Sequence, residues 1–226
     1  MFEVFILTVI PELTQNEFDA LLRLVSSEKQ ERIKQFHFFR DARNCLLGDV
    51  LARVEISRST ELSMKQLEFS ANAYGKPFLI GHPHIHFNIS HTGCYVACAV
   101  ADLPVGIDIE LIKPIEQKTA ERFFTPDEAA YIMVDNHERC FYEVWTKKES
   151  RIKWEGKGLH KSLTSFSVFE SNEWEQFTYY EVFQNDEAIC YVCSEKQTLP
   201  SIRMMDTASF LQSIMSLYIN VELLNT

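Results

Sequence analysis

At 226 residues, 46% hydrophobic and 24% charged, the chain has an ordinary globular balance and enough length for one large domain or two modest ones. Its formal charge of −10 excludes a general electrostatic grip on DNA or acidic membranes and leaves room only for a local basic pocket. No apolar run approaches a membrane span, so a cytoplasmic protein with neither nucleic-acid nor membrane partner is expected.

Phe2 to Ile10 is apolar but has no basic flank, carries Glu3 and ends at Pro11, which predicts an opening strand and not a signal peptide. Thr14-Gln15-Asn16-Glu17 fits a capping box and starts a helix. Further helices are predicted over 27–38 and 41–57, the latter from Leu46, Leu47, Val50, Leu51 and Val54. Tyr74-Gly75-Lys76-Pro77 reads as a turn. His82, His84 and His86 alternate as metal ligands on a strand would, but Pro83 interrupts them, and a polar loop entering a strand is expected. Strands follow at 86–89 and 95–100, around His91-Thr92-Gly93. Asp102-Leu103-Pro104 marks a boundary between a 1–103 half and a 104–226 half.

In Val105-Gly106-Ile107-Asp108-Ile109-Glu110, apolar and acidic residues alternate, so a strand would carry Asp108 and Glu110 on one face and the isoleucines on the other. Helices are predicted near 115–123 and over 126–135, where Thr125-Pro126-Asp127-Glu128 supplies cap, proline and acids. The next helix stacks Trp145, Glu149 and Lys153 at i, i+4, i+8, with Trp145 read as packing. Strands are predicted at 165–170, 177–183 and 188–193, and the tail 210–224 is ambiguous between helix and strand. The sum is an α+β pattern. Six cysteines without a secretion signal read as reduced thiols, and Cys190-Tyr191-Val192-Cys193 as strand core. Two carboxylates on a strand and a third on a helix suit a hard cation such as Mg2+. On these residues alone a second reading stands: Asp108 and Glu110 on the wet face of an edge strand, and Glu149 in a surface pair with Lys153.

Seven segments occur in order: Ser27-Glu28-Lys29, Leu46-Leu47-Gly48-Asp49-Val50-Leu51, Tyr74-Gly75-Lys76-Pro77, Phe87-Asn88-Ile89-Ser90-His91, Gly106-Ile107-Asp108-Ile109-Glu110, Phe123-Phe124-Thr125, and Trp145 through Gly156-Lys157-Gly158-Leu159. In this order and spacing the chain resembles the Sfp-type 4′-phosphopantetheinyl transferases, up to about Pro200. The resemblance implies two similar α+β halves with mainly antiparallel sheets, related by a pseudo-twofold axis, with a ligand cleft between them. It implies Mg2+-dependent transfer of the 4′-phosphopantetheine arm of coenzyme A to a serine of an apo acyl or peptidyl carrier protein, releasing 3′,5′-ADP. Mn2+ could replace Mg2+. The carriers would belong to nonribosomal peptide, polyketide or fatty-acid synthesis, and a monomer would suffice.

By that resemblance Asp108, Glu110 and Glu149 are the metal ligands. Glu149 would also accept the serine proton, and Glu128 is a second candidate base, though a first-turn acid favoured by the helix dipole explains it too. Lys153 would contact the α-phosphate. Lys29, Arg32 and His91 would hold the 3′-phosphate, Lys76 and Ser90 the other phosphates, and the 74–77 turn the adenine; Lys113 stands near the site with no assigned role. The family usually has an arginine where this chain has Asn44, and Arg43 or Arg40 would substitute from another angle. Two other functions fit parts of the pattern: a degenerate homologue that binds coenzyme A or carriers without transfer, and a Mg2+-dependent nuclease, against which the lack of a basic stripe argues.

Overall fold

The computed structural model describes residues 1–116, 118–134, 137–158, 162–169 and 177–224. In chain order the elements are β1 (Phe2–Thr8), α1 (Gln15–Leu22), α2 (Ser27–Lys34), α3 (Phe39–Ser59), β2 (Phe69–Ala71), β3 (Pro77–Leu79), β4 (His86–Thr92), β5 (Tyr95–Ala101), β6 (Val105–Leu111), α4 (Lys118–Phe123), α5 (Pro126–Ile132), α6 (His137–Glu155), β7 (Thr178–Gln184), β8 (Ala188–Ser194), β9 (Ser201–Asp206) and α7 (Thr207–Leu224). The expected mixed α+β class is observed. One sheet has the order β4-β5-β1-β9 and another β6-β8-β7; every pairing is antiparallel except β1 with β9.

The two sheets pack face to face, and β5 shows why. All seven of its residues are buried. Its alternation turns Val96, Cys98 and Val100 toward Leu46, Leu47, Val50 and Val54 of α3, while Ala97, Ala99 and Ala101 meet Val105, Ile107, Ile109 and Val192 of the second sheet. Alanines on that face let the sheets approach closely. On the far side of the second sheet, Phe141 and Val144 of α6 pack with Phe124 and Ile132. The layers therefore run helix, sheet, sheet, helix. Cys98, Cys190 and Cys193 are buried in this interior and form no disulfide.

The predicted cap at Thr14 is present: Glu17 N–H donates to Thr14 Oγ1 at 3.3 Å and Thr14 N–H to Glu17 Oε2 at 2.7 Å. Two expectations are corrected. Residues 165–169 of the predicted 165–170 strand form none, because their backbone groups go elsewhere: Ser165 N–H closes a turn on Ser162 O, Phe166 O accepts from Lys148, and Val168 N–H donates to Glu128; Glu170 lies outside the described residues. The tail does not belong to the 104–226 half. β9 joins β1 in the first sheet, Asp206 caps α7 by accepting from Ser209 N–H at 2.8 Å, and Phe210 and Ile214 enter the first half's core. Among the described residues no helix is long and apolar enough to cross a membrane.

Candidate active site

Gly106 sets the closeness on which the site depends. A Cβ there would stand 2.0 Å from the carbonyl oxygen of Ser150 and 2.3 Å from the amide nitrogen of Trp154. The backbone of α6 therefore lies directly on β6, and only glycine leaves room for it. From that contact the two periodicities operate together. Steps of two along β6 bring Asp108 and Glu110 onto the face that α6 covers, while Ile107 and Ile109 enter the core between the sheets. Steps of four along α6 carry Glu149 and Lys153 over the same face.

Asp108 is 3% exposed. Its Oδ1 accepts from Lys153 Nζ at 2.6 Å and from Ser90 Oγ at 3.0 Å, and Lys153 Nζ also donates to Ser90 Oγ at 3.0 Å. Its Oδ2 is buried with no hydrogen-bond partner among the described residues. Burial, and then the charge of Asp108, push the Glu110 carboxyl up to about 7, against hydrogen bonding from Thr92 and the charges of Lys153 and Lys113. The same two causes in the same order raise the Glu149 carboxyl above its usual range. Three carboxyl groups thus share one half-buried region, with Lys153 the cation that bonds directly to Asp108.

A cavity of about 310 Å³ opens on the first half's side. Lys29, Arg32 and Arg53 line it, with Glu28 and Asp49 as counter-charges, and so do Gly75, Pro77 and His91. His91 keeps accessible surface, yet desolvation and then the Lys153 charge hold its imidazole below the usual histidine range. A second, more apolar cavity of about 410 Å³ starts at Glu110 and runs past Ile115, Phe123, Phe141, Tyr142 and Trp145. Trp145 is packed, stacked on Phe141 at 5.9 Å, but it also forms a wall of this cavity.

Four predicted residues stand elsewhere. Arg43 is 1% exposed and points inward: Nε and Nη2 donate to Asn44 Oδ1, Nη2 also reaches Gly93 O at 3.2 Å, and Nη1 stands 2.8 Å from Glu12 as an ion pair. It therefore does not replace the family's arginine in the cavity. Arg40 is on the surface beside Asp41. Lys76 ties the halves together, donating to Val105 O at 3.0 Å and Trp154 O at 3.1 Å; burial brings its amine down to about 8. Tyr74 is exposed and does not line the basic cavity.

Glu128 is the firmest correction. It is 0% exposed, and its oxygens accept from Thr125 N–H, Val168 N–H and Lys148 Nζ at 3.0, 2.7 and 2.8 Å. A carboxylate so enclosed has no path to a substrate hydroxyl. Glu128→Gln is expected to cost about 3 kcal/mol by leaving the Lys148 ammonium buried without its counter-charge, lowering Tm by roughly 6–12 °C. The kcat of the folded fraction should stay within about threefold, because no reacting group is touched. Thermal melts beside initial rates decide it: lost kcat at an unchanged Tm would restore Glu128 as a base.

The sequence reading missed Gly106, Asn88 and Thr92. Asn88 Oδ1 accepts from Ile107 N–H at 2.9 Å, and Thr92 Oγ1 donates to Glu110 Oε2 at 3.2 Å. The signal was available: 88, 90 and 92 are polar at period two, as 108 and 110 are.

Comparison with known proteins agrees with this geometry. A family model described as the N-terminal part of 4′-phosphopantetheinyl transferases matches residues 12–103, and the 4′-phosphopantetheinyl transferase superfamily model matches 104–208. The chain is 45% identical over 159 residues to the 4′-phosphopantetheinyl transferase Sfp of Bacillus subtilis, covering 69% of this chain and 71% of that one. The chain belongs to the 4′-phosphopantetheinyl transferases. The transferase is also 46% identical over 159 residues to ffp of Bacillus subtilis, with the same coverage, and 35% identical over 206 residues to gsp of Aneurinibacillus migulanus, covering 86% of each chain. The two family models abut at 103/104, at the turn that separates β5 from β6.

Proposed function

We propose that the transferase moves the 4′-phosphopantetheine arm of coenzyme A to the serine hydroxyl of an apo carrier protein and releases 3′,5′-ADP. The carrying observation is the group of Asp108, Glu110 and Glu149, brought together from a strand and a helix between a basic cavity and an apolar one. The residues suit a divalent cation: the donors are carboxylate oxygens, Asp108 Oδ2 is buried with no hydrogen-bond partner among the described residues, and the Asp108 charge adds to burial in raising the carboxyls of Glu110 and Glu149. Among the described residues no three His, Cys, Asp or Glu side chains stand close enough together to hold a metal ion as they are. The proposed holders are Asp108, Glu110 and Glu149. Mg2+ bound there would supply the charge neutralisation required when the diphosphate of coenzyme A is cleaved and the 5′-phosphate of 3′,5′-ADP leaves.

The chain's own residues divide the remaining work. Lys29 and Arg32 line the basic cavity and suit the 3′-phosphate, with Arg53 beside them and His91 at its edge. Asn44 does not contribute there, since its amide is bonded to Gly93 O. The Lys153 ammonium, 2.6 Å from Asp108, is placed to meet the α-phosphate oxygens. The apolar walls from Ile115 to Trp145 suit the uncharged arm. Glu149, with its carboxyl value raised, is a better base than a free glutamate and can take the serine proton. The serine oxygen then attacks the β-phosphorus, the bond from that phosphorus to the bridging oxygen breaks, and 3′,5′-ADP leaves with the electron pair.

Intact-mass analysis of several apo carrier domains after incubation with coenzyme A and Mg2+ tests this. One phosphopantetheine should be gained per carrier, and chelation should stop the gain. Binding of coenzyme A without any gain in a single-turnover experiment would leave a non-transferring binder instead.

A further inference from the structure

β4 is the outer strand of one sheet and β6 the outer strand of the other. Outer strands carry backbone groups that no neighbouring strand pairs. Here alternate side chains of β4 take the place of that strand. Asn88 Oδ1 accepts from Ile107 N–H at 2.9 Å, and Ser90 Oγ accepts from Ile109 N–H at 3.3 Å while donating to Asp108. Two residues further, Thr92 Oγ1 donates to Glu110 Oε2 at 3.2 Å. The amide rungs Asn88–Ile107 and Ser90–Ile109 are two residues apart on both strands, and the side-chain pairs Ser90–Asp108 and Thr92–Glu110 repeat that step one residue earlier on β6. Asn88 and Ser90 are 4% and 6% exposed, so an amide left unpaired there would have no water to turn to.

The third rung differs from the others, because it ends on a carboxylate and not on an amide. Its strand end is fixed from behind. Gly93 O, one residue after Thr92, accepts from Asn44 Nδ2 at 3.0 Å and from Arg43 Nη2 at 3.2 Å. Gly93 itself has φ +54°, and a Cβ on it would stand 2.6 Å from Leu111 Cδ1, so the turn rests on the residue that follows Glu110. Asn44, which departs from the usual family arginine, thus holds the turn that carries Thr92.

We propose that Asn88, Ser90 and Thr92 form a side-chain ladder joining the two edge strands, and that Thr92 is a positioning residue which orients Glu110 toward the divalent ion. The second part rests on the reading of Glu110 as a ligand of that ion.

Two measurements test it. In the metal-free protein, the Ile107 and Ile109 amides should exchange with solvent as slowly as those of the core strand β8; exchange at the rate of an open strand edge would overturn the ladder. Mn2+ uptake, followed by electron paramagnetic resonance of the free ion, tests the positioning. Thr92→Val, which keeps the shape and removes the hydroxyl, should weaken Mn2+ binding about 10- to 100-fold, the usual cost of losing an outer partner of a ligand. Thr92→Ser should restore it, and the KM for the carrier should not change in either variant. Wild-type Mn2+ affinity in Thr92→Val would overturn the role of Thr92 while leaving the divalent site standing. No Mn2+ uptake by the wild-type protein would overturn both that role and the divalent reading, whatever the amides do.

Discussion

Gly106→Ala is expected to reduce transfer at least about 100-fold, either through loss of soluble folded protein or through a folded protein with a displaced helix. The new methyl would overlap main-chain atoms of α6, at 2.0 Å from Ser150 O and 2.3 Å from Trp154 N. Neither is the tip of a flexible side chain, so the whole helix must move. Glu149 and Lys153 ride on that helix, whereas Asp108 and Glu110 stay on the strand. A shift of about 1 Å in reacting groups costs on the order of 100-fold. Circular dichroism, thermal melts and initial rates on the same preparation separate the two routes. An alanine variant within twofold of wild type in both Tm and kcat would show that β6 and α6 are not in the contact described.

Asp108→Asn and Glu149→Gln are each expected to lower kcat by about 10²- to 10³-fold, equivalent to losing roughly 3–4 kcal/mol of transition-state stabilisation. Both exchanges keep shape and remove charge. The fold should survive them: in Asp108→Asn the side-chain amide would keep an oxygen for Ser90 and Lys153, and the mutual repulsion of the acids would fall. Thermal stability equal to or above wild type, together with the rate loss, is therefore the expected signature. The two variants should also differ. Asp108→Asn should be partly rescued by raised Mg2+, since its loss is one of affinity; Glu149→Gln should not be, if the serine proton has lost its acceptor. Steady-state rates across a Mg2+ series read the difference, and Mg2+-dependent transfer that survives both changes would reject these residues as ligands.

Much of the site was legible because it follows two local periods. The alternation of 106–110 places both acids on one face without any tertiary knowledge, and the stacking of Trp145, Glu149 and Lys153 follows from helix geometry alone. What faced what was not legible. The helix start at Thr125 is visible in the sequence, but the counter-charge of Glu128 is Lys148, twenty positions on and on another helix, so a candidate base turned out to be interior. Lys76 read as a phosphate contact because it matches a family position, and Arg43 because it neighbours the position of the usual family arginine. Lys76 donates to the carbonyl oxygens of Val105 and Trp154, and Arg43 to Gly93 O and Asn44 while pairing with Glu12; backbone acceptors leave no mark in a sequence. The tail escaped for a related reason. A parallel partner such as β9 is chosen across the whole second half, and Ser201–Asp206 has no pattern of its own that names β1. The short strands β2 and β3, which carry the 74–77 turn, are too brief to show a period.

The anomalous scattering of Mn2+ in crystals grown with coenzyme A addresses the centre of the site most directly. One strong peak is predicted between the carboxylates of Asp108, Glu110 and Glu149, within bonding reach of the coenzyme's diphosphate oxygens. A fully active crystal-grade preparation whose Mn2+ peak lies elsewhere, with these three side chains free of it, would contradict a divalent site built on β6 and α6.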